Sequence, residues 1–255
     1  MKNQLALLVL ASTATALPAL NGRAGEIVGG ESAKIEDFPY QVDLRVRDSA
    51  NCGGTIVSER FVVTAAHCAL GYSTATLSIR VGNAINGKGT SYKVKKAYVH
   101  PKYTDEKDPY DAAVLEFDPP IKFTNTVKPI ALADAEPSPG TDAVVSGWGS
   151  TSRDDSKRVY PDDLHSVHVP IFDHDKCNKD YGANPAITAD MICAGFDEGV
   201  KDACYGDSGG PLVVGGKLVG IVSFGKGCAS PNYPGVYASV ASPEIRSFIK
   251  QVTGL

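Results

Sequence analysis

The side chains best suited to covalent chemistry in this 255-residue sequence lie in three separated places. Thr64-Ala65-Ala66-His67-Cys68 sets a histidine beside a cysteine. Asp111-Ala112-Ala113-Val114-Leu115 sets an acid at the start of an apolar run, and Gly206-Asp207-Ser208-Gly209-Gly210-Pro211 holds a serine in a glycine-rich turn. A serine hydroxyl is a weak nucleophile at neutral pH and reacts when an adjacent base takes its proton. Imidazole titrates near pH 6.5, so His67 can accept that proton and later return it to a leaving group. A carboxylate held against an imidazole fixes its tautomer and stabilises the imidazolium. Taken singly, each segment is ordinary: a structural histidine, a turn aspartate, a tight loop. Together they supply nucleophile, base and acid.

The start of the chain reads as a secretory signal peptide over residues 1–16: Lys2, then a short apolar stretch over 5–11, then Ser12-Thr13-Ala14-Thr15-Ala16 with a cut after Ala16. A membrane anchor is disfavoured because the apolar run falls well short of the roughly 20 residues a span needs, and no later stretch reaches that length. The protein is therefore expected to be secreted and extracellular. Export gives the six cysteines an oxidising setting, and they include no CxxC pair. Structural disulfides are favoured over zinc or redox chemistry, with about 15 pairings open. The net charge of −4 and the absence of a basic run argue against nucleic acid and anionic membrane surfaces. No Asn-x-Ser/Thr sequon with a permitted middle residue occurs.

The apolar signal between Ile27 and Ser242 comes in short pieces punctuated by Gly, Pro, Asn and Asp. Residues 42–46 alternate with period two. Further strands are predicted at 55–57, 61–64, 92–99, 112–117, 143–146, 167–171, 212–214, 218–223 and 236–240. Many short strands with frequent turns imply an all-β barrel or sandwich. Asp173 is placed to cap a short helix through Tyr181. Ser242-Pro243-Glu244 combines a capping hydroxyl, a proline at the first helical position and an acid in the first turn. Ile245, Phe248, Ile249 and Val252 then share one face of a terminal helix. The Pro/Gly-rich stretch 137–141 is the best junction between two halves.

With Ile27-Val28-Gly29-Gly30, the His67, Asp111 and Ser208 segments closely resemble the trypsin/chymotrypsin family of serine proteases, over the chain from Ile27 to the terminal helix. The order His, Asp, Ser separates that family from subtilisins and α/β-hydrolases. The resemblance implies an all-β fold of two perpendicular six-stranded antiparallel β-barrels with a C-terminal α-helix. Residues 27–255 would form one peptidase domain, its barrels joined near 137–141 and its helix at 243–252. It implies catalytic roles for His67, Asp111 and Ser208, an oxyanion hole from the N–H groups of Gly206 and Ser208, and a hydrogen bond from Ser223 to Asp111. It also implies the disulfides Cys52–Cys68, Cys177–Cys193 and Cys204–Cys228. The bridges missing relative to vertebrate trypsins make the pattern look more like fungal and bacterial trypsins.

Cleavage after Arg or Lys is implied by Asp202, which matches the acid at the base of the trypsin primary pocket. Tyr205, Ser223, Gly225, Gly235 and Tyr181 match other substrate-binding positions. Ala203 departs from the serine common in trypsins. Arg can meet Asp202 with its two-pronged guanidinium, whereas a Lys ammonium misses that hydroxyl, so Arg is expected to be preferred. A chymotrypsin-like or elastase-like preference is disfavoured by Asp202, Gly225 and Gly235. A catalytically dead binding module is disfavoured by retention of all three catalytic types. The resemblance further implies a zymogen: a propeptide, 17–26, is removed and the amino group of Ile27 pairs with Asp207. Glu26 precedes the cut, so trypsin-like self-activation is not expected. The even-length pro-segment fits dipeptide trimming, and a Glu-directed endoprotease fits equally. No cofactor and no metal are expected, because residues 83–92, where vertebrate trypsins hold calcium, contain no acid. Asp105, Glu106 and Asp108 are read as a solvated turn, and the polar loop 151–164, with Arg153, Lys157 and Arg158, as a site of self-cleavage. The expected partners are polypeptide substrates and proteinaceous protease inhibitors, with the enzyme a monomer.

Overall fold

The computed structural model describes residues 27–104, 109–154, 156–183 and 185–255. The signal peptide and propeptide expected over 1–26 and the acidic turn of Asp105, Glu106 and Asp108 lie outside the described residues. A two-residue strand β1 (Glu31–Ser32) precedes β2 (Gln41–Val46), β3 (Ser49–Ile56), β4 (Phe61–Thr64), β5 (Leu77–Val81), β6 (Thr90–Val99) and β7 (Ala113–Phe117). Strands β2 to β7 close into an antiparallel barrel in the order β2-β3-β4-β7-β6-β5. In β5, buried Leu77, Ile79 and Val81 alternate with half-buried Ser78 and Arg80, the signature of one face on a core. The alternation expected in β2 fails, since Gln41 to Leu44 are all buried. Asp43 is tolerated inside because Arg45 Nη1 lies 2.7 Å from its carboxylate and the Gly87 N–H donates to it.

The second half contains β8 (Ala131–Leu132), β9 (Asp142–Gly147), β10 (His165–Pro170), β11 (Met191–Ala194), β12 (Pro211–Val214), β13 (Lys217–Phe224) and β14 (Gly235–Ser239). They pair in the order β10-β9-β12-β13-β14-β11, with β1 added to β10 and β8 lying parallel to β13. A short seam returns β11 to β10. Ile171 bridges Ala194, the Phe172 N–H donates to Cys193 and the Gly195 N–H donates to Pro170. That seam completes a second ring of six antiparallel strands, the all-β architecture the sequence implied. The chain crosses from the first ring to β9 between Phe117 and Asp142, a stretch that includes 137–141.

Two helices complete the protein. Asp173 Oδ1 accepts the Lys176 N–H at 2.8 Å and starts α1 (His174–Tyr181), which the Cys177–Cys193 bridge ties to β11. Helix α2 (Pro243–Thr253) buries Ile245, Phe248 and Ile249 in the largest apolar cluster, which draws on strands of both barrels. One expectation is corrected here. Ser242 occupies the N-cap but makes no side-chain cap bond. Its hydroxyl is buried and donates instead to the Ser239 carbonyl at 2.8 Å, which satisfies a group that solvent cannot reach. Ile249 is fully buried, so Ile249→Ala is expected to cost about 2–5 kcal/mol of stability in urea unfolding, with unchanged activity in the folded fraction.

Candidate active site

Strand register places the first two candidate side chains together. Thr64 at the end of β4 pairs with Ala113 at the start of β7, so the segments carrying His67 and Asp111 emerge side by side. A tight turn with Cys68 N–H bonded to the Ala65 carbonyl, and the Cys52–Cys68 bridge, hold His67 in place. His67 Nδ1 lies 2.7 Å from Asp111 Oδ2, and the His67 backbone N–H donates to Oδ1 at 3.0 Å. Ser223 donates its hydroxyl to Oδ2 at 2.6 Å. Asp111 is only 1% exposed, and these three bonds answer its buried charge. A carboxylate on Nδ1 fixes the tautomer that leaves Nε2 as the acceptor.

The third side chain comes from the second barrel. The Ser208 carbonyl accepts the Gly53 N–H at 2.7 Å, and the Gly209 N–H donates to Val222 at 2.7 Å. A Cβ at Gly209 would lie 2.2 Å from Thr64 Oγ1, so only glycine lets the serine loop reach the end of β4, three residues before His67. Gly206 has φ +100°, a conformation that side chains disfavour. Among the described residues, the N–H groups of Gly206 and Ser208 have no acceptor. Asp207, between them, is fully buried. The Gly149 N–H bonds its Oδ1 and the Cys204 N–H its Oδ2, at 2.8 and 2.9 Å. Burial outweighs these bonds and pushes its carboxyl up to about 6. Ile27 is fully buried among Val145, Val167, Ile171 and their neighbours in the second core.

Beside Ser208 opens a cavity of about 180 Å³, with Ala203, Tyr205, Ser223, Gly225 and Gly235 on its walls and Asp202 among them. Asp202 is 3% exposed. Its Oδ2 accepts the Ala229 N–H at 2.9 Å, whereas Oδ1 is buried without a partner among the described residues. Burial raises its carboxyl to about 7, against the opposing effect of the Ala229 and Ala203 N–H groups. A Cβ at Gly235 would come within 2.7 Å of that free oxygen and block access to it. Tyr181 does not line the cavity. It stands behind the wall, edge-on to Phe224 and Tyr233, with its hydroxyl bonded to the Pro234 carbonyl at 2.7 Å.

The trypsin family model matches residues 27–249. The chain belongs to the trypsin family. It is a serine endopeptidase, and trypsin-family proteins act on polypeptides and are inhibited by protein inhibitors. It is 44% identical to trypsin 5G1 of Aedes aegypti over 91% of this chain and 86% of the relative. It is also 44% identical to trypsin delta of Drosophila erecta (91% and 89%) and 43% identical to hypodermin-A of Hypoderma lineatum (88% and 86%).

Two residues around Asp202 escape sequence reasoning. Ala229, at φ +51°, donates its N–H to Asp202, and Tyr237 lines the cavity with a buried hydroxyl that has no partner among the described residues. The Cys204–Cys228 bridge, which draws residue 229 toward Asp202, is the one signal that could have found the first. Tyr237 reads only as a core residue of β14. Among the described residues, the one cluster with metal-ligand potential is Cys52, His67 and Cys68. Its sulfurs form a disulfide and offer no thiolate. No described helix is long and apolar enough to cross a membrane.

A guanidinium probe that binds the pocket must meet Asp202 as a carboxylate. With that carboxyl near 7, its affinity is expected to be constant at high pH. It should fall by up to about tenfold per unit below pH 7, because a proton must first leave. Calorimetric titration across pH 5–9 checks this.

Proposed function

We propose that this trypsin-family enzyme cuts polypeptides after Arg in preference to Lys, through an acyl-enzyme on Ser208. The observation that carries the reading is the buried Asp202, whose unpartnered Oδ1 faces a cavity opening beside Ser208. An unpaired carboxylate in that setting is costly, and a cationic side chain relieves it. Ala203 supplies no hydroxyl to a Lys ammonium, whereas an Arg guanidinium meets the carboxylate with two N–H groups.

In the reaction, Ser208 Oγ attacks the scissile carbonyl carbon as His67 Nε2 takes its proton. Asp111, bonded to Nδ1, stabilises the imidazolium. Charge on the carbonyl oxygen is met by the N–H groups of Gly206 and Ser208. One such donor typically contributes about 10²–10³ in rate. His67 then protonates the departing amine, and water repeats the sequence to free the acid and Ser208.

The enzyme is exported as a precursor and acts as a monomer. Release of Ile27 gives an amino group that pairs with Asp207. Support comes from the two buried partners: Ile27 sits in the second core, and Asp207 has hydrogen bonds but no cation among the described residues. That charge orders the Gly206–Ser208 turn. Dipeptide trimming and a Glu-directed cut differ in their intermediates, which amino-terminal sequencing separates.

Protein with a verified Ile27 terminus is assayed on matched peptide amides bearing Arg, Lys, Phe or Ala before the scissile bond. Arg is expected to exceed Lys clearly, with Phe and Ala far below. Ser208→Ala should lose about 10⁶-fold in kcat, as for loss of the nucleophile in an unrelated serine protease. Equal turnover of Arg and Lys refutes the preference, and cleavage after Phe alone refutes the pocket.

A further inference from the structure

A second cavity, of about 520 Å³, is lined by Gly206 and shares Tyr205 with the Asp202 pocket. Its lining also includes Cys52, Trp148, Arg158, Tyr160 and Asp162. The Arg158 guanidinium carbon lies 3.6 Å from the centroid of the Tyr205 ring. The Tyr160 ring stands against Gly206, 3.3 Å from where a Cβ would be. The residue before the scissile bond occupies the Asp202 pocket and its carbonyl lies at Gly206. Chain following the bond must therefore leave past Gly206 and the Cys52–Cys68 bridge, into this cavity.

The charges there are not balanced within the wall. Asp43, the most deeply buried acid of the cavity, is already paired with Arg45 and bonded to the Gly87 N–H. Arg158 has no carboxylate partner among the described residues. Stacking on Tyr205 attracts the cation and restricts its rotamers, while its N–H groups remain free to donate sideways. Asp162, exposed, is the one acid of the cavity wall without an ion pair among the described residues.

We infer that Arg158, braced on Tyr205, is a specificity residue that selects an acidic side chain within the first two residues after the scissile bond. A carboxylate there accepts the guanidinium N–H groups. A lysine at the same position meets like charge and is disfavoured. The inference rests on the proposed cleavage after Arg at Ser208.

The test uses active enzyme and peptides with Arg before the scissile bond and Glu, Gln or Lys at each of the next two positions. In the native enzyme the kcat/KM ratio of Glu to Gln peptides is expected to be about two- to fivefold at one of those positions, as for an exposed ion pair. It should shrink toward one in 0.5 M salt. Arg158→Gln should bring the ratio to one or below, and Asp162→Asn, the opposite charge change in the same cavity, should raise it. A ratio that Arg158→Gln leaves unchanged overturns the inference while the cleavage reading stands. Failure to cut the Gln peptide after Arg overturns both.

Discussion

A carboxylate removed from water must be answered by hydrogen bonds or a cation, and this protein buries three of them around one serine. They are answered to different degrees. Asp111 receives three donors, from the His67 backbone, the His67 ring and Ser223. Asp207 receives two backbone N–H groups and no cation among the described residues, and burial leaves its carboxyl near 6. Asp202 receives Ala229 on one oxygen and leaves the other without a partner among the described residues, with burial holding its carboxyl near 7. In the proposed account these three degrees of completion correspond to three tasks: holding the base, awaiting the new amino terminus, and awaiting the substrate.

The two barrels make this arrangement possible because neither holds the site alone. His67 and Asp111 leave the first barrel at adjacent strand ends, and the serine loop is carried by the second. The contact between them is backbone on backbone, Gly53 N–H to the Ser208 carbonyl, with Gly209 pressed against Thr64. Ser223 bridges the same gap from β13 to Asp111. Helix α2, which follows the last strand of the second barrel, packs its apolar face into a cluster that both barrels share. Bonds this short and buried resist relative movement of the halves, which keeps a proton-transfer geometry within the tolerance that catalysis requires.

Much of this was legible because local chemistry and global fold agree. The three catalytic residue types stand in short motifs, most strands carry short apolar runs, and Asp173 caps α1 as its side chain suggests. What escaped had its cause in tertiary context. The alternation of Leu77, Ile79 and Val81 in β5 was available and not used, while β11 is four buried residues long and offers no period. Asn51-Cys52-Gly53-Gly54 in β3 contradicts strand propensity, and the glycines are required by close approach to Gly210 and Val62. Ser242 turned its hydroxyl back to Ser239, and Tyr181 fell behind the pocket wall, because burial and neighbours decide side-chain direction where sequence spacing cannot.

The central claim, that the bare oxygen of Asp202 selects the substrate, is tested most directly by Asp202→Ser in protein with an Ile27 terminus. Hydrolysis of the Arg peptide should fall by at least about 10³-fold in kcat/KM, the scale of an interaction of about 4 kcal/mol with a buried charge. An acyl-enzyme-forming reagent with no cationic group should still label Ser208 at a rate close to that of the parent. Retained preference for Arg in Asp202→Ser would contradict the account, because the specificity would then reside in another charge.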